Sequence, residues 1–383
     1  MAEGGAVPAV EWSRFEAAII NGFRQLRDRY LHSVRGRGAL DDGSDAPEQG
    51  DSDSLLDMLP VDMQLYILTF LSPQDLCQLG MTNRYWHSMV QDRLLWKYFL
   101  LRDLPSWSSI DCHSLPDSEV LNSCLSDLSD GKECNYMSVY LRSCPKTRKS
   151  MRSRNPIYGA VTSFLQSLVM HGEPRFAMFG PGLEQLDDSL VTRMMTSPDL
   201  LPVVSILQRQ INGVGSGVTF QLSGEHKFNI LTLYSTTRSE RDRARVEQSA
   251  VANKMFVSDG LVHDGQIPAY NLIPQVKEVC KVVDGFIYVA NAESSCKQHN
   301  REEEAAQIQV MMDPLLGAQR RPLLVLACVT NPGDKRVPCV YLAHELCLNK
   351  LNRPWMVQNT EASTLLGLLD GIAWILAEVG KKL

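Results

Sequence analysis

The stretch Leu59 to Gly80, LPVDMQLYILTFLSPQDLCQLG, decides how the first part of the chain is read. Leu59-Pro60 opens a helical pattern, because a proline at the first helical position loses only an N–H that would be unpaired there anyway. Leu65, Ile67, Leu68, Phe70 and Leu71 then give a broad apolar face. Ser72 stands where a second helix needs a cap, Pro73 follows, and Asp75 lies three residues on, a spacing close to a capping box. Leu76 and Leu79 continue that helix, Gly80 is placed to end it, and Trp86 and Leu95-Trp96 lie just downstream. Residues 55–101 form a module small enough that it buries little surface by itself. It carries more large apolar residues than so small a core can hide. That combination predicts a module which folds against a partner.

Working outward, Trp12, Phe15, Ile19, Phe23, Leu26 and Tyr30 recur at steps of three or four, a helical stripe of near-heptad spacing. Residues 1–35 thus predict an amphipathic helix with two readings. It docks on the rest of the protein, or it self-associates through Trp12, Phe15, Ile19, Phe23 and Leu26. Residues 36–54 alternate Gly36, Gly38, Gly43 and Gly50 with Asp41, Asp42, Asp45, Glu48, Asp51 and Asp53, the composition of a flexible acidic linker. Residues 102–155 hold Pro105, Pro116, Pro145, many serines and the basic run Lys146, Arg148, Lys149, Arg152 and Arg154. They read as a connector with short helices, its basic run a solvated face or a localisation signal.

From residue 156 to 383 the texture is α/β. Residues 158–170 read as a helix. Strands are expected at Arg175–Phe179, Val218–Leu222, Phe228–Tyr234, Gly285–Ala290 and Pro322–Val329, with helices at Arg301–Met312 and Thr364–Val379. Strands apolar on both faces, alternating with helices, predict a doubly wound, mostly parallel sheet. The fold class is therefore multidomain, a small all-α module followed by an α/β doubly wound domain.

The bulk numbers bound the function. The 383 residues carry a net charge of −6, and 44% are apolar. That acidic balance argues against nucleic acid and anionic membranes as partners. The 10 cysteines are scattered without a C-x-x-C pair, which gives no zinc or redox spacing and fits a reducing compartment. With no signal-like segment or membrane-length apolar run, the expected location is the cytoplasm, with the nucleus as a second compartment.

The Leu59–Gly80 pattern, with Trp86 and Leu95-Trp96 closing it, resembles the F-box. The resemblance implies binding to the Skp adaptor of cullin–RING ubiquitin ligases, with Leu59, Pro60, Ile67, Leu68, Leu71, Leu76 and Leu79 facing that adaptor or the helices that meet it. The segment 346–378 resembles the end of ADP-ribosylation-factor-type small GTPases, with Arg353, Trp355, Thr360 to Ser363 and Gly367 to Trp374 in the matching places. The nucleotide chemistry does not follow. After Gly180, the residues Gln185, Leu186 and Asp187 replace the glycine, lysine and hydroxyl of a phosphate loop. Ser235 to Arg238 stand where D-x-x-G is required, and Val329 to Pro332 where N-K-x-D would read guanine. Gly213, Gly215 and Gly217 precede a strand and read as a hairpin or loop. His344-Glu345 lacks a second histidine and Cys112-His113 is isolated, so no catalytic set, metal or cofactor is expected.

With EPRFAMFGPGLEQL (173–186), HKFNILTLYSTTRSERDRAR (226–245) and VVDGFIYVANAE (282–293), the chain resembles F-box proteins that carry a degenerate, atypical small-GTPase-like C-terminal domain. The resemblance implies a non-catalytic substrate receptor of an SCF ubiquitin ligase that bridges target proteins to cullin and RING subunits. It further implies telomeric repeat-binding factor one and D-type cyclins as substrates, and homodimerisation through the N-terminal region. Beside it stand two alternatives, a divergent GTP-binding regulator and a Skp-bound scaffold outside degradation. The β-rich stretch Val337–Leu342, with Val337, Cys339, Val340 and Tyr341, is expected to be an edge strand that docks substrate.

Overall fold

The computed structural model describes residues 56, 58–122, 134–148, 172–186, 189–207, 215–222, 226–234, 254–258, 270–294, 300–317 and 320–380. The amphipathic stripe of residues 1–35, the acidic linker, the helix expected at 158–170 and most of the basic run lie outside the described residues. The rest forms two compact units. One comprises the residues up to Leu104 together with Pro116–Arg142; the other comprises Pro105–Leu115 and everything from Ser143 onward.

The first unit is helical. Helix α1 (Val61–Leu68) starts one residue later than expected, because Pro60 has an extended ψ of 144°. Helix α2 (Pro73–Leu79) carries the expected cap. The Ser72 hydroxyl accepts from the Asp75 N–H at 3.2 Å and donates to the Asp75 carboxylate at 2.7 Å, a cap worth about 1 kcal/mol. Gly80 follows α2 with φ −62°, so it is not a left-handed terminator. Its role is space, since a Cβ there would stand 2.6 Å from Val90 Cγ2. Helix α3 (Arg84–Val90) is capped by Asn83, and α4 (Arg93–Asp103) by Asp92. Trp86, Leu95, Trp96, Phe99 and Leu100 fill the core, and the Trp96 indole donates to the Val90 carbonyl at 2.5 Å. Two further helices, α5 (Ser118–Asn122) and α6 (Tyr136–Ser143), come from the stretch read as a connector. The Tyr140 ring lies 5.4 Å from that of Trp96, and its hydroxyl donates to Asp103 at 2.7 Å.

The second unit is built on an eight-stranded sheet. In chain order its strands are β1 (Ser109–Asp111), β2 (Arg175–Phe179), β3 (Val203–Leu207), β4 (Gly215–Leu222), β5 (His226–Leu233), β8 (Gly285–Asn291), β9 (Leu323–Val329) and β10 (Trp355–Glu361). A separate hairpin pairs β6 (Phe256–Ser258) with β7 (Tyr270–Leu272). The spatial order is β1-β10-β9-β8-β2-β5-β4-β3. The central five, β10-β9-β8-β2-β5, run parallel. Strands β1, β4 and β3 are antiparallel to their neighbours, so the sheet is mixed. Gly215 and Gly217 belong to β4.

Every residue of β8 and β9 is buried, as a sheet covered on both faces requires. One face packs against α7 (Gly182–Gln185), α8 (Leu190–Thr196) and the last helix, α12 (Leu368–Gly380), through Leu183, Leu190, Met194, Ile372 and Ile375. On the other lie α9 (Pro274–Val282) and α10 (Arg301–Met311), where buried Tyr288 donates to Glu304 at 2.7 Å.

Two expectations are corrected here. The connector at 102–155 supplies β1, and its basic run supplies the residue that holds it. Arg148 donates to the Asp111 carboxylate at 2.6 Å, to Ser114 Oγ at 2.9 Å and to the Ser109 carbonyl at 2.6 Å. The docking edge expected at Val337–Leu342 is not a strand. Cys339–Glu345 forms helix α11 with Pro338 as its N-cap residue, and Cys339 and Val340 are fully buried. Apolar residues at 339, 340, 342 and 343 satisfy a helical face, and burial of that face outweighs the β-propensity of the run.

Candidate docking surface

Helix α1 has two apolar faces. Leu65 and Leu68 turn inward and are 1% exposed. Leu59, Met63, Tyr66 and Phe70 stay at the surface, with Phe70 71% exposed. Their spacing of four, three and four residues places them along one side of a helix and the turns that flank it. The Tyr66 and Phe70 rings meet edge to face at 5.1 Å. The end of α1 is fixed from α4, where Arg102 donates to the Thr69 carbonyl at 3.0 Å while paired with Asp103 at 2.7 Å and stacked over Phe99. Met58 and Met81 are also exposed. A helix side presenting two aromatics and a methionine, rigidly mounted, can form the apolar centre of a protein interface.

A second candidate site is the crevice beyond the carboxyl ends of β2 and β8. The chain leaves β2 for β5 on one side and returns to β8 on the other, the point where ligands bind in open α/β sheets. Gly180 has φ +127°, and a Cβ on it would stand 2.5 Å from the Val289 carbonyl oxygen. The turn is thus pressed against β8. Three of the N–H groups that follow are spent internally: Leu183 donates to the Gly180 carbonyl, and Glu184 and Gln185 donate to that of Pro181. Leu183 and Leu186 fill the core. At the ends of β8 and β9, Glu293 accepts from both the N–H and hydroxyl of Thr330, at 3.0 and 2.6 Å. Arg301 and Arg336 reach this end of the sheet, and each is paired with a carboxylate, Glu304 and Glu361 respectively. The described residues therefore hold no cradle of free N–H groups backed by an uncompensated cation, which a phosphate needs.

Comparison with known proteins matches residues 56–102 to the F-box-like family. F-box only protein 4 from Bos taurus is 55% identical, over 98% of this chain and 95% of that protein. The Homo sapiens protein of that name is 54% identical over the same shares, and that of Mus musculus 53% identical over 99% of this chain and 97% of its own length. The chain belongs to the F-box only protein 4 family. Its F-box-like segment takes in α1 to all but the last residue of α4, with the exposed side of α1 at its start.

The residues expected to contact an adaptor divide between surface and core. Leu59 and Pro60 are exposed, and Ile67, Leu71 and Leu79 are half-buried. Leu68 and Leu76 are buried in the core of their own unit. Sequence reasoning passed over Met58, Met63, Tyr66 and Met81 and gave Phe70 to the general apolar face. The Leu59–Met63–Tyr66–Phe70 spacing was the available signal.

Proposed function

We propose that this protein is the substrate-recognition subunit of an SCF-type ubiquitin ligase, holding the Skp adaptor with its F-box and target proteins with its α/β unit. The observation that carries this reading is the exposed Leu59–Met63–Tyr66–Phe70 side of an F-box-like helix whose opposite face is buried. The chain raises the effective concentration of a substrate beside a ubiquitin-loaded enzyme, so no residue of its own need do chemistry. Its α/β unit has a degenerate small-GTPase-like fold in this reading, supported by the 346–378 resemblance and the filled crevice. The targets implied by resemblance are telomeric repeat-binding factor one and D-type cyclins. Self-association through the Trp12–Leu26 stripe, and work in the cytoplasm with the nucleus as a second compartment, belong to the same proposal.

Substrate docking moves to a different edge from the one first expected. Strand β3 ends the sheet, and its Val204 and Ile206 are 42% and 53% exposed. An extended segment of a target can pair there.

The test is co-expression of the full chain with the Skp adaptor. The wild type should co-purify, and Tyr66→Asp/Phe70→Asp should lower retention at least tenfold, as loss of two central aromatics does, with unchanged far-UV circular dichroism. Undiminished retention by that variant would overturn the assignment of the surface.

A further inference from the structure

Gln64 sits on the buried side of α1 and is 1% exposed. An amide in such a place is costly unless its polar atoms are bonded. Here all of them are used. The Nε2 amine donates to the Leu56 carbonyl at 2.9 Å and to the Leu59 carbonyl at 3.1 Å. The Oε1 oxygen accepts from the Tyr85 hydroxyl. Two carbonyls on one end of the amide and a hydroxyl on the other leave a single workable orientation, since a carbonyl can only accept.

The bonds run between parts of the chain that local structure does not join. Tyr85 lies 21 residues downstream on α3, a helix whose start is set by the Asn83 cap on the Trp86 N–H at 2.8 Å. The Tyr85 ring also meets that of Trp86 edge to face at 5.2 Å. Leu56 and Leu59 lie before α1, where the one backbone bond between them runs from the Leu59 N–H to the Leu56 carbonyl at 3.3 Å. The anchored turn presents Met58, 71% exposed, and Leu59, 37% exposed, at the head of the docking side of α1.

We propose that the Tyr85–Gln64 pair is a positioning lock, which holds the turn before α1 in its adaptor-ready shape from the core of the F-box. The inference rests on the docking surface proposed above. Its effect is preorganisation: the turn is ordered before the adaptor arrives, so the ordering entropy is not lost on binding. Gln64 is buried, so it acts through the turn rather than by touching the partner.

The double variant Gln64→Leu/Tyr85→Phe removes the Tyr85–Gln64 bond together with the Gln64 donors to the Leu56 and Leu59 carbonyls. Leu59 is exposed and Leu56 half-buried, so water can take up the freed carbonyls and folding stability should change little. The full-length variant is titrated with purified Skp adaptor beside the wild type, and amide exchange is followed at Leu59, whose N–H is bonded to the Leu56 carbonyl. Expected are a thermal midpoint near that of the wild type, faster exchange at the Leu59 amide, and adaptor affinity lower by about tenfold. Unchanged affinity despite faster exchange would overturn the lock. So would an affinity loss that merely tracks a lowered thermal midpoint. If the double variant does not fold, Tyr85→Phe alone decides the matter: weaker binding with faster exchange at Leu59 supports the lock, and wild-type binding refutes it. A wild type that fails to bind the adaptor would instead sink the docking surface.

Discussion

Asp111 and Arg148 hold a strand of three residues onto the edge of an eight-stranded sheet. Burial alone would raise the Asp111 carboxyl. The facing Arg148 guanidinium and bonds from Ser114 and the His113 N–H outweigh it and hold the group below the ordinary carboxylate range. The folded value is depressed, so the stabilisation is present above the unfolded value and is lost as pH falls through the folded one. Asp111→Asn should cost about 3 kcal/mol at neutral pH, because it leaves a mostly buried guanidinium without its counter-charge. Thermal midpoints across the acid range check the sign: the gap between wild type and variant should narrow as pH falls below the ordinary carboxylate range. Nothing in the sequence pairs these two residues, which stand 37 positions apart in a stretch rich in proline and serine.

The central parallel strands were legible because runs such as GFIYVA and PLLVLACV are apolar on both faces, which only a sheet covered on both sides accepts. Other elements were not. Strand β1 owes its existence to pairing with β10, far along the chain. The VPCVYL run has strand-forming residues but buries a helical face. Helix α1 was readable as a helix, yet it is apolar on two sides, and the period alone does not say which side meets solvent. Packing decides that: Leu65 and Leu68 turn into the core, and Met63 stays at the surface. At the other edge, β3 presents Val204 and Ile206 to solvent while Val203 packs against the core. Val204→Lys/Ile206→Lys should lower substrate capture by the full chain at least several-fold while leaving adaptor binding unchanged, since charge on an edge strand blocks added strands. Capture and adaptor pull-downs from the same preparation measure both.

For the protein as a unit of function, the filled crevice beyond β2 and β8 sets the expectation that activity is independent of nucleotide. GTP with magnesium should leave the thermal midpoint within about 1 °C of the ligand-free protein, because a ligand that binds the folded state would raise it. A saturable rise would restore the GTP-binding alternative. The sequence made this legible through what stands after Gly180, but not through how the space is used. That Leu183 and Leu186 enter the core, and that the Glu184 and Gln185 N–H groups turn back on Pro181, is visible only in the packed structure.

The edge that Arg148 secures also has a history in time. The Asn359 side chain donates to the Trp107 carbonyl at 3.0 Å across 252 positions of sequence, so the segment carrying β1 leaves the ribosome long before β10 exists. At synthesis rates of about 5–20 residues per second, that interval is roughly 13–50 s. Arg148 emerges much sooner than β10, only 37 positions after Asp111. The ion pair can therefore shape the nascent loop while its sheet is still unmade, holding the three residues of β1 in a form ready for a partner that arrives last.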